Sequence, residues 1–132
     1  MKKLIIFLHS LLFTHFTELE KIADAFPFFT VTPYITGNPM SMVGVAGGNA
    51  TFNCSAIGFP VPTIVWMKGG EVLDEEGRRV TFGTFQEGLT YWSVITVREL
   101  TLADAGRFQC KAMNVLAQSG LSSVAYLDIQ CE

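Results

Sequence analysis

The chain has 132 residues, of which 49% are hydrophobic and 16% are charged, and its formal net charge is −3. This length suits one ordinary domain, and the high apolar fraction excludes an intrinsically disordered chain. Because 9 lysines and arginines stand against 12 aspartates and glutamates, the sequence has no basic field to attract phosphates. It therefore excludes the usual nucleic-acid-binding classes, and we expect no nucleic acid partner.

The N-terminal residues have the pattern of a secretory signal peptide. Met1–Lys3 are a short positive leader, and a run of about ten mostly apolar residues follows. This run is shorter than the roughly 20 residues of a membrane-spanning helix. We expect cleavage after Ala25, with cleavage near Thr17 or an uncleaved amphipathic helix as alternatives. The predicted organisation is a signal peptide at 1–25, a domain at 26–130 and a tail at 131–132, secreted without membrane insertion.

Beyond residue 26, apolar residues recur with a period of two, which is typical of half-buried β-strands. Turn formers such as Gly58, Pro60 and Gly88 separate these runs. A short turn at Leu102–Ala105 is the expected exception. Many short strands between turns predict a two-sheet sandwich or a barrel. The predicted strands are 50–56, 63–68, 79–82, 91–97, 107–112 and 122–129.

The cysteines of an exported chain are interpreted first as disulfides. Cys54 and Cys110 both occupy inward positions of alternating strands, so a bridge between them would cross-link two facing sheets. Cys131 follows the last predicted strand and is left without a partner in the chain. It predicts an interchain bond in a disulfide-linked dimer, a bond to a cysteine of a further domain, or a thiol capped by a small molecule.

These residues resemble a domain of the immunoglobulin superfamily. Cys54, Trp66 and the segment Asp104-Ala105-Gly106-Arg107-Phe108-Gln109-Cys110 carry the resemblance. The segment Gly58-Phe59-Pro60-Val61-Pro62-Thr63-Ile64-Val65-Trp66 is similar to the G-x-P-x-P-x-x-x-W pattern of the I-set. The resemblance covers about residues 30–130. It implies an all-β, two-sheet Greek-key sandwich of the I-set type.

The resemblance also implies structural roles. Trp66 is expected to pack on a Cys54–Cys110 bridge, and Asp104 to cap the turn before the strand of Cys110 and to pair with Arg79. The family usually has a tyrosine where this chain has Phe108, so we expect the ring to pack and the tyrosine's hydrogen bond to be absent. The other residues that mark the core of this family are Leu100 and Gly106.

The sequence offers no recognisable catalytic site. His9 and His15 both lie in the predicted signal peptide, so the mature domain lacks the commonest general base. The acidic residues after the predicted strand 63–68 lack the residue order of a calcium-binding loop. We therefore expect them to form a solvated loop. We therefore expect no enzymatic activity, no metal site and no cofactor. These acidic residues are Glu71, Asp74, Glu75 and Glu76.

Two sequons predict N-linked glycosylation of an exported chain, at Asn49 and at Asn53. Asn49 falls in a predicted turn. Glycosylation of Asn53 has to compete with oxidation of Cys54 inside its own sequon. The alternative for either asparagine is an unmodified, solvent-facing side chain.

Strand alternation also predicts two outward faces. On one sheet, Trp92, Val94 and Thr96 point outward. The resemblance implies that the strand of Asn53 lies beside this strand, so a glycan on Asn53 would lie near Trp92. On the other sheet, tyrosine and methionine side chains form a mixed apolar face of the kind found at protein interfaces, although scattered apolar residues on a sheet are ordinary. The predicted interface residues are Val65, Met67, Lys111, Met113 and Tyr126.

Together, these observations predict an extracellular immunoglobulin-like domain that recognises a protein partner, either itself or another protein. The resemblance places it in cell adhesion, a receptor or the matrix. One alternative is a secreted single-domain ligand or antagonist of a receptor. The other is a structural spacer module of a larger protein.

Overall fold

The computed structural model describes residues 29–74 and 79–131. The predicted signal peptide and the acidic residues Glu75 and Glu76 lie outside this part of the chain. The unit that begins at Val31 consists of two β-sheets with a single short 3-10 turn in its described residues. The all-β, two-sheet architecture predicted from the sequence is therefore confirmed.

Most strands follow the period-two pattern of the sequence, with inward residues buried and their neighbours more exposed, whereas β5 and β6 show no such alternation. A 3-10 turn at Leu102–Asp104 precedes the strand of Cys110. The strands are β1 (Val31–Gly37), β2 (Met42–Val45), β3 (Ala50–Phe59), β4 (Thr63–Lys68), β5 (Glu71–Val72), β6 (Val80–Glu87), β7 (Thr90–Val97), β8 (Gly106–Met113), β9 (Ser119–Leu121) and β10 (Ala125–Gln130).

The first sheet has the strand order β1-β3-β7-β6, and all its pairs are antiparallel. The second sheet has the order β2-β10-β8-β4-β5, with β9 beside β8. Its pair β2–β10 is parallel. The chain crosses from the first sheet to the second between Gly37 and Met42. Pro39, which has no backbone N–H for a ladder, is buried at this crossing.

The inward side chains of the two sheets form one core. Phe52 stacks on Phe108 with ring centroids 4.8 Å apart, and it lies 6.4 Å from the Trp66 ring. Close packing of the first sheet on the second also requires Gly120, because a Cβ there would collide with the carbonyl oxygen of Pro33. The buried apolar residues are Ile35, Ala50, Phe52, Cys54, Ala56, Trp66, Ile95, Val97, Leu100, Phe108, Cys110, Ala112, Ala125, Leu127 and Ile129.

Three predicted strands have bounds that differ from the structure by more than one residue. The strand predicted at 50–56 extends to Phe59. The strand predicted at 79–82 extends to Glu87. The strand predicted at 122–129 is interrupted before Ala125, because Ser122 binds Cys110 instead of continuing the ladder. The Ser122 hydroxyl accepts the Cys110 N–H at 2.9 Å, and the Ser122 N–H donates to the Cys110 carbonyl at 2.9 Å. Strands β1, β2, β5 and β9 were not predicted.

Candidate recognition surface

A disulfide and a buried tryptophan join the two sheets. Cys54 on β3 is bonded to Cys110 on β8, with Cα atoms 6.5 Å apart. Trp66 on β4 lies directly opposite Cys110 in the β4–β8 ladder. Its indole N–H donates to the hydroxyl of Ser93 on β7 at 2.9 Å, and both side chains are buried. The bridge and this hydrogen bond fix the first sheet against the second.

The turn before β8 is held by Asp104. Its carboxylate accepts the Thr101 backbone N–H at 2.7 Å and the Arg79 Nη2 at 2.5 Å. The Arg79 side chain is 42% exposed and the Asp104 side chain 16%, so the carboxylate is the better buried partner. The neighbouring Phe108 ring is fully buried against Phe52, as its place in the core requires.

The outer face of the second sheet is continuous across its strands. In the β4–β8 ladder, Val65 lies opposite Lys111. Tyr126 on β10 lies opposite Arg107 on β8, which has the same parity as Lys111. Because paired residues project to the same side of a sheet, the register brings the predicted interface residues together. They are Val65, Met67, Lys111, Met113 and Tyr126.

Solvent exposure distinguishes these five residues. Tyr126 is 56% exposed and Met113 is 38% exposed, while Val65, Met67 and Lys111 are half-buried by their neighbours in the sheet. The two most central apolar side chains therefore show only part of their surface. Tyr126 and Met113 are therefore the most exposed residues of this set.

Three further exposed apolar residues extend this face. Val72 on β5 lies opposite Met67, Leu121 on β9 lies opposite Lys111, and Val43 on β2 lies opposite Asp128. Each of the three is more than half exposed. Sequence reasoning missed them because β2, β5 and β9 were not predicted as strands. In the sequence they are isolated apolar residues beside turns. Without the register of their strands, the sequence does not show to which face of the sheet they belong.

The outer face of the first sheet is built differently. Phe85 on β6 stacks on Trp92 on β7, with centroids 5.7 Å apart and an angle of 5° between the rings. Asn53 on β3 is exposed and lies opposite Val94. Asn53 and Trp92 line the same shallow depression. The sequon asparagine and the predicted outward tryptophan are therefore neighbours on this face.

The remaining predicted residues are separate from both faces. Asn49 is exposed beside the turn between β2 and β3, and Cys131 is exposed after β10 with a free thiol. Glu71 and Asp74 are exposed near β5. In the described part of the chain, no group of three or more His, Cys, Asp or Glu residues could hold a metal ion. Residues 29–74 and 79–131 also contain no helix long and apolar enough to cross a membrane.

Two facing sheets, joined by a disulfide against a buried tryptophan, define an immunoglobulin-like sandwich. A model of the family described as immunoglobulin domain matches residues 32–114. The chain belongs to this family.

The chain is similar to short segments of two much longer proteins. The peroxidasin homolog of Mus musculus is 31% identical over 109 residues, which is 83% of this chain and 6% of that protein. The myoblast growth factor receptor egl-15 of Caenorhabditis elegans is 33% identical over 98 residues, which is 74% of this chain and 9% of the receptor. The chain thus spans a small fraction of either relative.

A solved structure shows the same fold. The titin domains z1z2 in complex with telethonin match with a TM-score of 0.65 and 30% identity, covering 76% of this chain and 49% of the titin chain. The similarity extends to a protein whose immunoglobulin domains were solved with a protein partner.

Proposed function

We propose that this chain is an exported immunoglobulin domain that recognises a protein through the outer face of its second sheet. The observation that carries the proposal is the set of apolar side chains that extends across that face, with Val65 and Met67 near its centre and the exposed Tyr126 and Met113 on either side. Aromatic and methionine side chains are enriched at protein interfaces. The basic side chains Arg107 and Lys111 lie among them and add charge specificity.

The outer face of the first sheet supports binding less well. In its main aromatic pair, Phe85 and Trp92 stack on each other, so one face of each ring is already covered. Asn53 of the second sequon and Trp92 line the same depression, so a glycan on Asn53 would cover this aromatic surface. We propose glycosylation at Asn49 and Asn53, and this leaves the second sheet as the unshielded face.

Export is supported by the N-terminal pattern and by the disulfide. A signal peptide at 1–25 would deliver the chain to an oxidising compartment, where a Cys54–Cys110 bridge persists. In this setting the free thiol of Cys131 is able to form an interchain bond. Adhesion, receptor or matrix recognition is the proposed context.

A double variant tests the proposed face. Tyr126→Ala removes the exposed aromatic ring of the proposed face, and Met67→Glu places a charge near the centre of that face. We expect loss of aggregation by domain-coated beads, or loss of saturable binding of the labelled domain to cells of the source organism. The melting temperature should change little, because neither side chain is fully buried.

A matched control carries the same two substitutions elsewhere. Tyr34 is 65% exposed and Met40 is 81% exposed, and both lie outside the proposed face. The Tyr34→Ala, Met40→Glu variant should bind as the wild type does. Unchanged binding by the Tyr126, Met67 variant, or equal loss in both variants, would eliminate this face as the site.

The same assays separate the alternatives. Bead aggregation by the isolated domain indicates adhesion by self-recognition, and saturable cell binding without bead aggregation indicates a soluble ligand or antagonist. Neither result is expected of a structural spacer.

A further inference from the structure

The open edges of the two sheets are protected to different degrees. An exposed edge strand invites pairing with another chain, and proteins suppress this with short strands, prolines, bulges or lysines. In the described residues, β1 contains Pro33 and has an irregular register against β3. β2 has 4 residues and β5 has 2 residues. β6 is different, because its 8 residues contain no proline, lysine or arginine.

The free hydrogen-bonding groups of β6 can be assigned from its ladder with β7. The Arg98 N–H donates to the Arg79 carbonyl at 2.7 Å, so residue 79 is directed toward β7. Backbone groups alternate in direction along an antiparallel strand. The N–H and carbonyl groups that point to the open edge therefore belong to Val80, Phe82, Thr84 and Gln86.

The side chains of β6 carry opposite charges at its two ends. Arg79 immediately precedes the strand, Glu87 is its last residue, and Gly83 lies midway between them. In an antiparallel pair of two copies centred on Gly83, Arg79 of each copy lies directly opposite Glu87 of the other. The same register pairs Phe82 with Thr84 of the second copy, both of which present open backbone groups.

From this arrangement we infer that β6 is a homodimerisation edge, which joins two copies of the chain through antiparallel β6–β6 pairing centred on Gly83. The first sheets of the two copies then form one continuous sheet. This interface uses the edge of the first sheet, so the outer face of the second sheet stays free for the partner proposed above.

Charge complementarity selects this register over its neighbours. A shift of two residues in one direction places Glu87 opposite Thr81, and a shift in the other places Arg79 opposite Phe85. Neither shifted register pairs opposite charges. Arg79 is 42% exposed, and its hydrogen bonds to Asp104 and to the Glu99 carbonyl both use Nη2. Its guanidinium has further N–H donors for Glu87 of the second copy.

Cysteine cross-linking tests both the edge and the register. In a Cys131→Ser background, Gly83→Cys places a thiol on the proposed axis, where opposite Cα atoms are about 4.5 Å apart and can be bridged. A Cβ at Gly83 meets no atom within 4 Å, and Gly83 has no positive φ. The matched control is Thr81→Cys, whose two copies would be offset by four residues, or about 13 Å.

The proposal predicts that the Gly83→Cys chain oxidises to a covalent dimer on non-reducing electrophoresis and that the Thr81→Cys chain stays near background. In the Cys131→Ser chain without added cysteines, sedimentation should show a dimer whose fraction rises with concentration. Thr84→Pro removes an open-edge N–H without touching the β7 ladder, and it should abolish that dimer while the melting curve stays cooperative.

Three results would overturn the proposal. They are equal cross-linking of the Gly83→Cys and Thr81→Cys chains, a Cys131→Ser chain that sediments as a monomer at every concentration, and a dimer of that chain that Thr84→Pro does not affect. Partner binding by the Thr84→Pro variant is expected to persist, so loss of the dimer and failure of the proposed recognition face are distinguishable.

Discussion

At the scale of single residues, the buried hydrogen bond between Trp66 and Ser93 has the clearest energetic consequence. The indole N–H and the serine hydroxyl are 2.9 Å apart and both side chains are buried. Ser93→Ala leaves the N–H without its acceptor, which should lower the free energy of unfolding by about 1–3 kcal/mol. Denaturant titration measures this loss.

A double-mutant cycle supplies the control for that prediction. In a Trp66→Phe background the N–H is gone, so Ser93→Ala should then cost much less than in the wild type. Equal costs in the two backgrounds would show that Ser93 acts through packing alone.

The residues of the core were predictable to different degrees. Cys54, Cys110 and Trp66 occupy inward positions of alternating runs, and the family resemblance assigned their packing. Ser93 carried no such signal. A serine at an inward strand position has no pattern that names its partner, because the partner belongs to the facing sheet. Only the packing of the two sheets brings Ser93 to the indole.

At the scale of elements, Asp104 links the 3-10 turn to the start of β6. Its carboxylate binds both the Thr101 N–H and Arg79. We expect Asp104→Ala to cost about 1–2 kcal/mol of unfolding free energy through loss of the turn's hydrogen bond and the ion pair. Arg79→Ala should cost less than about 1 kcal/mol, because Arg79 is 42% exposed and its ion pair is screened.

Dilute samples of the two variants, compared by chemical denaturation, test this order. If Arg79→Ala lowered the free energy of unfolding as much as Asp104→Ala does, the ion pair rather than the hydrogen bond of the turn would account for the stabilisation.

Strand existence was easier to predict than strand extent. The alternating run before Phe82 was visible, but Gly83 and Thr84 interrupt the apolar pattern of β6, and its continuation depends on pairing with β7. The sequence around Ser122 likewise does not indicate that the Ser122 hydroxyl, instead of a backbone carbonyl, accepts the Cys110 N–H. The four unpredicted strands, β1, β2, β5 and β9, are short or contain proline, and they are recognised as strands only through the strands they pair with.

The same limit applied to the candidate surface. Parity within single predicted strands was enough to select Val65, Met67 and Tyr126. It could not add Val43, Val72 or Leu121, because each belongs to a strand recognised only by its register. The full extent of the face is therefore a property of the assembled sheet.

At the scale of the whole molecule, the Cys54–Cys110 bridge closes a loop with a sequence separation of 56. In the chain-entropy model, a loop of this length stabilises the folded state by about 4 kcal/mol. That is a large share of the stability of a small domain. The stability of the domain therefore depends on whether its compartment keeps this bridge oxidised.

The central claim, an exported recognition domain, is tested most directly by peptide mapping of the native protein without reduction. The account predicts a mature N-terminus at Phe26 and a linked pair of peptides that contain Cys54 and Cys110. A native protein that retains Met1, with both cysteines recovered as free thiols, would contradict it.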